Sequence, residues 1–263
     1  MKKENSKEKK NKNIYKVIFI IRIILIAVVI YCLIHIALWF TENKKNAEIL
    51  AEITDSSIID TTTIQIPVNE NVLDEVTTHT LNFDNLFSTN DSTVGWLTVP
   101  NTTIDYPVVK AQDNSFYLNH SFDKSQNSAG WVFADYRNKF DNTDKNIIIY
   151  GHNRKDSSMF ATLSNTQSSE WYNNTDNKYI TFITPETTHI YEVFSTYTIK
   201  AEEYYLTTVF DDDETFLSFL NTLKSRSIHD FGVSLSAEDQ ILTLSTCDAT
   251  GRSRVIVHAK KIL

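Results

Sequence analysis

Glycine, proline and cysteine are scarce in this sequence, and their scarcity excludes several classes of protein. The 263 residues include 5 glycines and 4 prolines, which excludes a collagen-like repeat and proline-rich disorder. A CxxC pair, an HExxH motif and a glycine-rich phosphate loop are all missing, so the sequence predicts no metal site and no cofactor. The Gly-x-Ser-x-Gly elbow that would support a serine triad is also missing.

Basic residues are concentrated at the N-terminus and are outnumbered elsewhere. Residues 1–40 hold eight basic and two acidic side chains, a net charge of +6. The remaining 17 basic and 31 acidic residues give a net charge of −14. An acidic domain of this kind argues against nucleic acid as a partner.

A long apolar run, residues 17–40, follows the basic tail. Its uninterrupted part, Ile23 to Phe40, covers 18 residues, close to the roughly 20 that a helix needs to cross a bilayer. A cleaved signal peptide is the alternative, but the TENKKNAEIL that follows has no convincing small-residue cleavage site. We therefore predict a cytoplasmic tail (1–16), a single-pass signal anchor in membrane lipid (17–40) and an extracellular remainder.

The extracellular part changes composition along its length. Residues 41–80 predict a stalk and linker, with a helix over 41–55 followed by 56–80, which are rich in Thr, Ser, Asn and Asp. Compact structure is predicted to begin at Leu81, so that residues 81–263 form one domain. Its length suits a single hydrophobic core.

This domain is predicted to consist mainly of β-strands. Eight segments are rich in β-branched and aromatic residues and are bounded by turn formers: 94–100, 104–110, 130–135, 146–152, 179–185, 188–200, 240–247 and 254–263. Short strands with few intervening helices predict a closed barrel or a sandwich rather than a doubly wound parallel sheet. One helix is predicted over 211–227, where four apolar side chains recur at i, i+3, i+4 and i+7.

Cys247 ends a predicted strand and opens onto a turn. A thiol held at a strand end is both rigid and reachable, as a nucleophile must be. Arg252 and Arg254 follow on the return limb, where positive charge would favour the thiolate and hold an oxyanion. Cys32 lies in the apolar run, so Cys247 has no disulfide partner if that run spans a membrane. The alternative is a Cys247 buried as a small apolar side chain.

His152 is the best placed of the seven histidines to serve as a base. It closes the apolar segment Asn146-Ile-Ile-Ile-Tyr-Gly-His152, in which the glycine permits a close backbone approach. A histidine at a strand end can face a cleft and take part in acid–base chemistry. The alternative is a histidine that caps the turn by hydrogen bonding.

These residues and their neighbours resemble the sortases, and within that family class B. Thr243-Leu-Ser-Thr-Cys247 is similar to the family's Thr-Leu-x-Thr-Cys, and Arg254-Val-Ile-Val is similar to its arginine-bearing partner strand. The other segments that resemble class B are Ile149-Tyr-Gly-His-Asn153, Asp156-Ser-Ser-Met-Phe160, Phe116-Tyr-Leu-Asn-His-Ser-Phe122 and Gly130-Trp-Val-Phe-Ala-Asp-Tyr-Arg137. The motifs occur in the family's order, and the resemblance covers about residues 81–263, which would be the catalytic domain.

The resemblance implies a mainly β fold, the eight-stranded sortase barrel, with peripheral helices and one between the sixth and seventh strands. It implies that Cys247 is the nucleophile, His152 the general acid/base and Arg254 the residue that steadies substrate and oxyanion. Arg254 is preferred to Arg252 because it directly precedes the Val-Ile-Val strand, as the family arginine does. The residues implied to contact the substrate peptide are Asn114, Leu118, Tyr150, Ser245 and Asp248.

The implied function is that of a transpeptidase in the cell membrane of a Gram-positive bacterium. Such an enzyme cleaves an Asn-Pro-x-Thr-x-like sorting signal at the C-terminus of a surface protein, after the threonine. It then joins the thioacyl intermediate to an amine of a peptidoglycan precursor or cross-bridge. Three alternatives stay open: a hydrolytic cysteine peptidase, a pilin-polymerising class C sortase, and a membrane-anchored β-barrel binding module.

Overall fold

A computed structural model describes residues 2–69, 72–200, 202–247 and 253–263. Side chains are described for residues 15–67, 73–200, 202–246 and 253–263. The chain divides into two compact units, Met1–Lys45 and Asn46–Leu263.

The first unit is part of a helix, α1 (Lys2–Ser57), that carries the apolar run. Over the most apolar window of Tyr15–Ser57 the mean hydropathy is 3.2 and none of the window is buried. Among the described residues, α1 is the one helix long and apolar enough to cross a membrane.

The last turns of α1 belong to the second unit. Their buried or half-buried side chains recur three or four residues apart on one face: Asn46, Ile49, Leu50, Ile53 and Ser57. Ile53 is 4% exposed and is part of the main hydrophobic core. Residues 41–55 are helical, as the sequence predicts, and this end of the helix is also packed into the compact unit.

A β-hairpin follows where the composition predicts a linker. It consists of β1 (Ile58–Asn69) and β2 (Val72–Leu81), which pair antiparallel. The buried side chains that attach it to the rest of the unit are Ile66, Val76, Tyr179 and Ile190. Threonines have high strand propensity, and alternating Ile64 and Ile66 give β1 one apolar face. Packing against the barrel then stabilises β1 and β2 as a hairpin.

Eight of the described strands close into a barrel, which confirms the predicted fold class. Their bounds are β3 (Thr93–Thr98), β4 (Asp105–Lys110), β5 (Phe133–Ala134), β6 (Asn146–His152), β7 (Tyr179–Ile183), β8 (Thr188–Lys200), β9 (Ile241–Cys247) and β10 (Ser253–Lys261). The order around the barrel is β10-β8-β7-β3-β4-β5-β6-β9. Each strand corresponds to one of the eight predicted segments, since turn residues and β-branched runs mark strand limits locally.

The pairing of β6 with β9 is parallel, although most other pairs in the barrel are antiparallel. Parallel neighbours need a long crossover. Here it contains β7, β8 and α4 (Asp213–Ser225). As predicted, α4 lies between the sixth and seventh barrel strands. It begins where Asp212 accepts a hydrogen bond from Thr215 N at 2.8 Å.

The other helices in the described part of the chain are short and lie on the periphery. Two are α-helical, α2 (Phe83–Thr89) and α3 (Ser169–Asn173). The 3-10 helices are Phe116–Leu118, Ala161–Gln167, Thr175–Asn177 and Tyr204–Leu206. The apolar face of α4 packs on the barrel through Phe216, Leu220 and Leu223, each at most 1% exposed.

Replacing Ile66 by alanine should lower the free energy of unfolding by about 2–4 kcal/mol, because a cavity is left between hairpin and barrel. Ile66 is 2% exposed, whereas Ile59 on the same strand is 67% exposed. Ile59→Ala is therefore the matched control, with an expected change below about 0.5 kcal/mol. Chemical denaturation of the full chain in detergent measures both, and equal effects would show that the hairpin is not part of the cooperative unit.

Candidate active site

The C-terminal ends of β6 and β9 meet at one rim of the barrel. In the parallel register His152 pairs with Cys247 and Tyr150 pairs with Ser245. The backbone of the predicted nucleophile thus lies beside that of the predicted base. The side chain of Cys247 and residues 248–252, among them Asp248 and Arg252, lie outside the described residues.

Strand β10 brings Arg254 to the same rim. Ile256 pairs with Ser245 in the antiparallel register of β10 with β9, and Val255 N donates to Thr246 Oγ1 at 2.8 Å. Continuing this register by two residues brings Arg254 opposite Cys247. Three strand ends therefore converge on one place, and His152 is brought there from 95 positions before Cys247.

The imidazole of His152 is held by the backbone of the segment that contains Leu118. Its Nε2 lies 2.8 Å from Leu118 O. A carbonyl oxygen can only accept, so Nε2 carries a proton and donates it to this bond. Gly130 lies close to the same edge of the ring, where a Cβ would be 2.8 Å from His152 Cδ2, the carbon bonded to Nε2. Its φ of +64° is also a conformation that favours glycine.

The guanidinium of Arg254 is held by Tyr205, a residue that the sequence analysis does not single out. Arg254 Nη1 donates to Tyr205 Oη at 3.1 Å, and Tyr205 Oη shares a hydrogen bond with Ser245 Oγ at 3.0 Å. Tyr205 and Ser245 are both fully buried. The tyrosine therefore ties the arginine to the strand that ends in Cys247. Tyr205 lies between β8 and α4, where no sequence motif indicates that it contacts the site.

Two predicted substrate contacts, Asn114 and Tyr150, meet at Asp135. This fully buried carboxylate accepts from Tyr150 Oη at 2.8 Å, from Asn114 Nδ2 at 2.9 Å and from Arg137 Nη2 at 2.7 Å. Asp135 and Arg137 both lie in a segment that resembles class B, and that segment is the signal that could have identified them.

Burial and hydrogen bonding act in opposite directions on the pKa of Asp135. Burial acts to raise the pKa of Asp135, but the hydrogen bonds from Arg137, Tyr150 and Asn114 outweigh it and hold that pKa below its usual value. Burial, together with the Asp135 charge, raises the pKa of Tyr150. Asp135 is therefore ionised and Tyr150 neutral at pH 7, which fixes Tyr150 as the donor.

A second histidine near the site, His258, has a structural role. It is fully buried between Thr243 Oγ1 and Tyr197 Oη, each at 2.9 Å from a ring nitrogen. Burial lowers the pKa of His258 to about 3, so the ring is neutral near pH 7. Within the described residues no group of three or more His, Cys, Asp or Glu side chains is arranged to hold a metal ion.

The sortase-domain family model matches residues 97–262, which include every described strand end at this rim. The chain belongs to the sortase family. Sortase B of Listeria monocytogenes is 34% identical over 224 residues, which cover 84% of this chain and 87% of that protein. The crystal structure of Bacillus anthracis sortase B in complex with AAEK1 has a TM-score of 0.70 and 32% identity, and covers 84% of this chain and 98% of that one. A Staphylococcus aureus sortase B–substrate complex has a TM-score of 0.64 and 33% identity, over 68% of this chain and 84% of that chain.

These relatives confirm class B and the sortase barrel. This sortase is a cysteine transpeptidase that serves the cell wall. The binding-module alternative and the class C alternative are set aside by the same findings. As a sortase, it acts on proteins that carry a sorting signal and on amine nucleophiles. The apolar part of α1 is consistent with a membrane-anchored enzyme.

Asp135→Asn should destabilise the protein by about 1.5–3 kcal/mol at neutral pH, because the charged partner of Arg137 is lost. Since the folded pKa of Asp135 is lowered, its contribution is present above the unfolded carboxyl pKa, about 3.9, and is lost as the pH falls toward the folded value. The difference from wild type should therefore shrink below about pH 4.

Denaturation curves at a series of pH values measure this difference. Asp211→Asn, at an exposed position before α4, is the matched control and should change stability little at any pH. An Asp135→Asn effect that is constant from neutral to acid pH would contradict the ion pair.

Proposed function

We propose that this sortase is a membrane-anchored enzyme that cleaves an Asn-Pro-x-Thr-x-like sorting signal after its threonine and joins the protein to a cell-wall peptide amine. In this proposal Cys247 is the nucleophile, His152 the general acid and base, and Arg254 the residue that stabilises the oxyanion. The main support is the strand register, which pairs His152 with Cys247 and, when extended, brings Arg254 opposite Cys247.

The first half of the reaction forms a thioester. The Cys247 thiolate attacks the threonine carbonyl carbon and forms a C–S bond, and the carbonyl oxygen becomes an oxyanion. As the oxyanion collapses, the C–N bond to the next residue breaks, and His152 gives a proton to the departing amine. The C-terminal fragment leaves and the surface protein stays bound through sulfur.

The second half transfers the protein to a new amine. The acceptor nitrogen attacks the thioester carbonyl, His152 removes a proton from it, and the C–S bond breaks to regenerate the thiolate. A new amide bond replaces the thioester, so the reaction needs no external energy source. Water could attack the same carbonyl, which is why a hydrolytic activity remains the competing outcome.

Arg254 has the charge and the support that the oxyanion role needs. A preorganised donor aimed at developing charge stabilises a transition state more than a mobile one does. The hydrogen bond from Arg254 Nη1 to the buried Tyr205 at 3.1 Å supplies that preorganisation. Positive charge in this position also favours thiolate over thiol at Cys247.

The peptide-binding residues in the proposal are Asn114, Leu118, Tyr150, Ser245 and Asp248. The backbone oxygen of Leu118 is engaged by His152, so its half-buried side chain is the part that would contact the peptide. The hydroxyl of Ser245 is engaged by Tyr205, so its effect on the peptide would pass through Arg254.

The membrane segment places the enzyme beside its substrates in this proposal. The basic tail (1–16) would stay in the cytoplasm, residues 17–40 would span the lipid, and the barrel would lie outside. Exported surface proteins and lipid-linked peptidoglycan precursors meet at that outer face. Confinement to the same surface raises the effective concentration of both.

Cys247→Ala should abolish cleavage of an Asn-Pro-x-Thr-x-containing peptide, because no thioacyl intermediate can form. Mass spectrometry of the full chain with peptide and a panel of amines should show a covalent acyl-enzyme and an amine-ligated product in wild type alone. Cys32→Ala is the matched control and should keep full activity. Peptide cleavage by Cys247→Ala would contradict the proposal. If the wild-type product never contains the amine, the hydrolytic peptidase is favoured instead.

Arg254→Ala should lower kcat/KM about 100- to 1,000-fold, the usual loss when an oxyanion donor is removed. Arg252→Ala, two positions earlier in the sequence, is the matched control and should lower it less than about threefold. Peptide cleavage rates measure both. If Arg252→Ala lowered kcat/KM more than Arg254→Ala does, Arg252 and not Arg254 would be the residue that stabilises the oxyanion.

A further inference from the structure

A buried asparagine connects α1 to the segment that lies against His152. Asn46 is 6% exposed and lies on the face of α1 that packs into the barrel unit. Three other members of this face, Ile49, Leu50 and Ile53, make apolar contacts with the core. Asn46 therefore buries a polar carboxamide beside apolar contacts, where an unsatisfied group would be costly.

Both ends of this carboxamide are bonded to distant parts of the chain. Nδ2 donates to Gly130 O at 3.0 Å. Oδ1 accepts from Asn127 Nδ2 at 2.8 Å and from the Ser121 hydroxyl. Ser121 and Asn127 are at most 1% exposed. Because these bonds are shielded from water, Asn46 fixes the backbone at Gly130 relative to α1.

Gly130 is in turn packed against the imidazole of His152. A Cβ at Gly130 would lie 2.8 Å from His152 Cδ2 and 2.9 Å from Leu118 O, so no bulkier residue fits. The following amide, Trp131 N, donates to Tyr117 O at 2.9 Å. Leu118 O accepts from His152 Nε2 at 2.8 Å. Two backbone segments thus hold the ring, and Asn46 holds one of them.

We propose that Asn46 is a positioning residue for His152: it keeps the Gly130 backbone against the imidazole and so sets the orientation in which the ring transfers protons. This rests on the acid–base role of His152 in the proposed function. It assigns part of the catalytic geometry to a helix residue that precedes the matched family domain, residues 97–262. Proton transfer depends on donor–acceptor geometry, and a displacement of about 1 Å can cost about 100-fold in rate.

Asn46→Ala in the full chain should lower kcat by about 10- to 100-fold while KM changes much less, because the ring is misplaced but the peptide-binding residues remain. Ile49→Ala is the matched control. It weakens packing of the same helix face without touching the Gly130 bond, so kcat should stay near wild type. Steady-state kinetics in detergent or nanodiscs with a sorting peptide and an amine measure both variants.

The His152 ring provides a second readout that a purely stabilising residue would not change. In histidine-labelled protein, the NMR signal of the His152 Cδ2–H group is identified by its loss in His152→Ala. That signal should shift in Asn46→Ala and stay in place in Ile49→Ala, since Gly130 lies directly against this carbon.

The outcomes separate this inference from the proposed function. If His152→Ala is inactive but Asn46→Ala keeps wild-type kcat and an unshifted signal, the positioning role is overturned and the proposed function stands. If His152→Ala is fully active, the proposed function itself fails.

Should Asn46→Ala not fold, Asn46→Asp tests the same point. It keeps an oxygen for Ser121 and Asn127 but, when ionised, has no hydrogen to donate to Gly130 O. It should show the same loss of kcat, and wild-type kcat in Asn46→Asp would overturn the proposal.

Discussion

The parallel pairing of β6 with β9 is the constraint on which the rest of the site depends. Parallel neighbours end at the same rim, so the residues that terminate these strands, His152 and Cys247, become neighbours although 95 positions separate them. A slip of one residue would turn every side chain of a strand to its opposite face. The crossover through β7, β8 and α4 carries the chain back to the end of the barrel at which β6 begins, so that β9 runs parallel to β6.

Around this pair, buried polar contacts orient the side chains that chemistry would use. Leu118 O holds the His152 ring, Tyr205 holds the Arg254 guanidinium, and Asp135 holds the Tyr150 hydroxyl. Each supporting group is itself buried or part of the backbone, so competition with water does not weaken its hydrogen bond. The rim is therefore a preorganised surface, in keeping with a transpeptidase that must favour an amine over solvent.

The N-terminal region contributes to the folded enzyme as well as carrying the apolar segment. The compact unit begins at Asn46 rather than at Leu81, because the last turns of α1 and the hairpin β1–β2 both bury side chains in it. The hairpin packs on β7 and β8 through Tyr179 and Ile190. Residues between the apolar run and the barrel are thus part of the compact unit that contains the site.

Local sequence patterns were enough to predict the apolar run, the eight strands, helix α4 and the motifs around His152, Cys247 and Arg254. Hydrophobic periodicity, turn residues and short motifs are local patterns, so they can be recognised without knowing the fold. The packing of the hairpin and the contacts of Tyr205 and Asn46 with the site could be seen only in the tertiary structure. Asp135 and Gly130 lie in a segment that resembles class B, but the sequence does not show which groups they contact. The hydrogen bond from Asn46 to Gly130 spans 84 residues and that from Arg254 to Tyr205 spans 49. Such contacts leave no periodic trace in the chain, because their partners meet only after the barrel has closed.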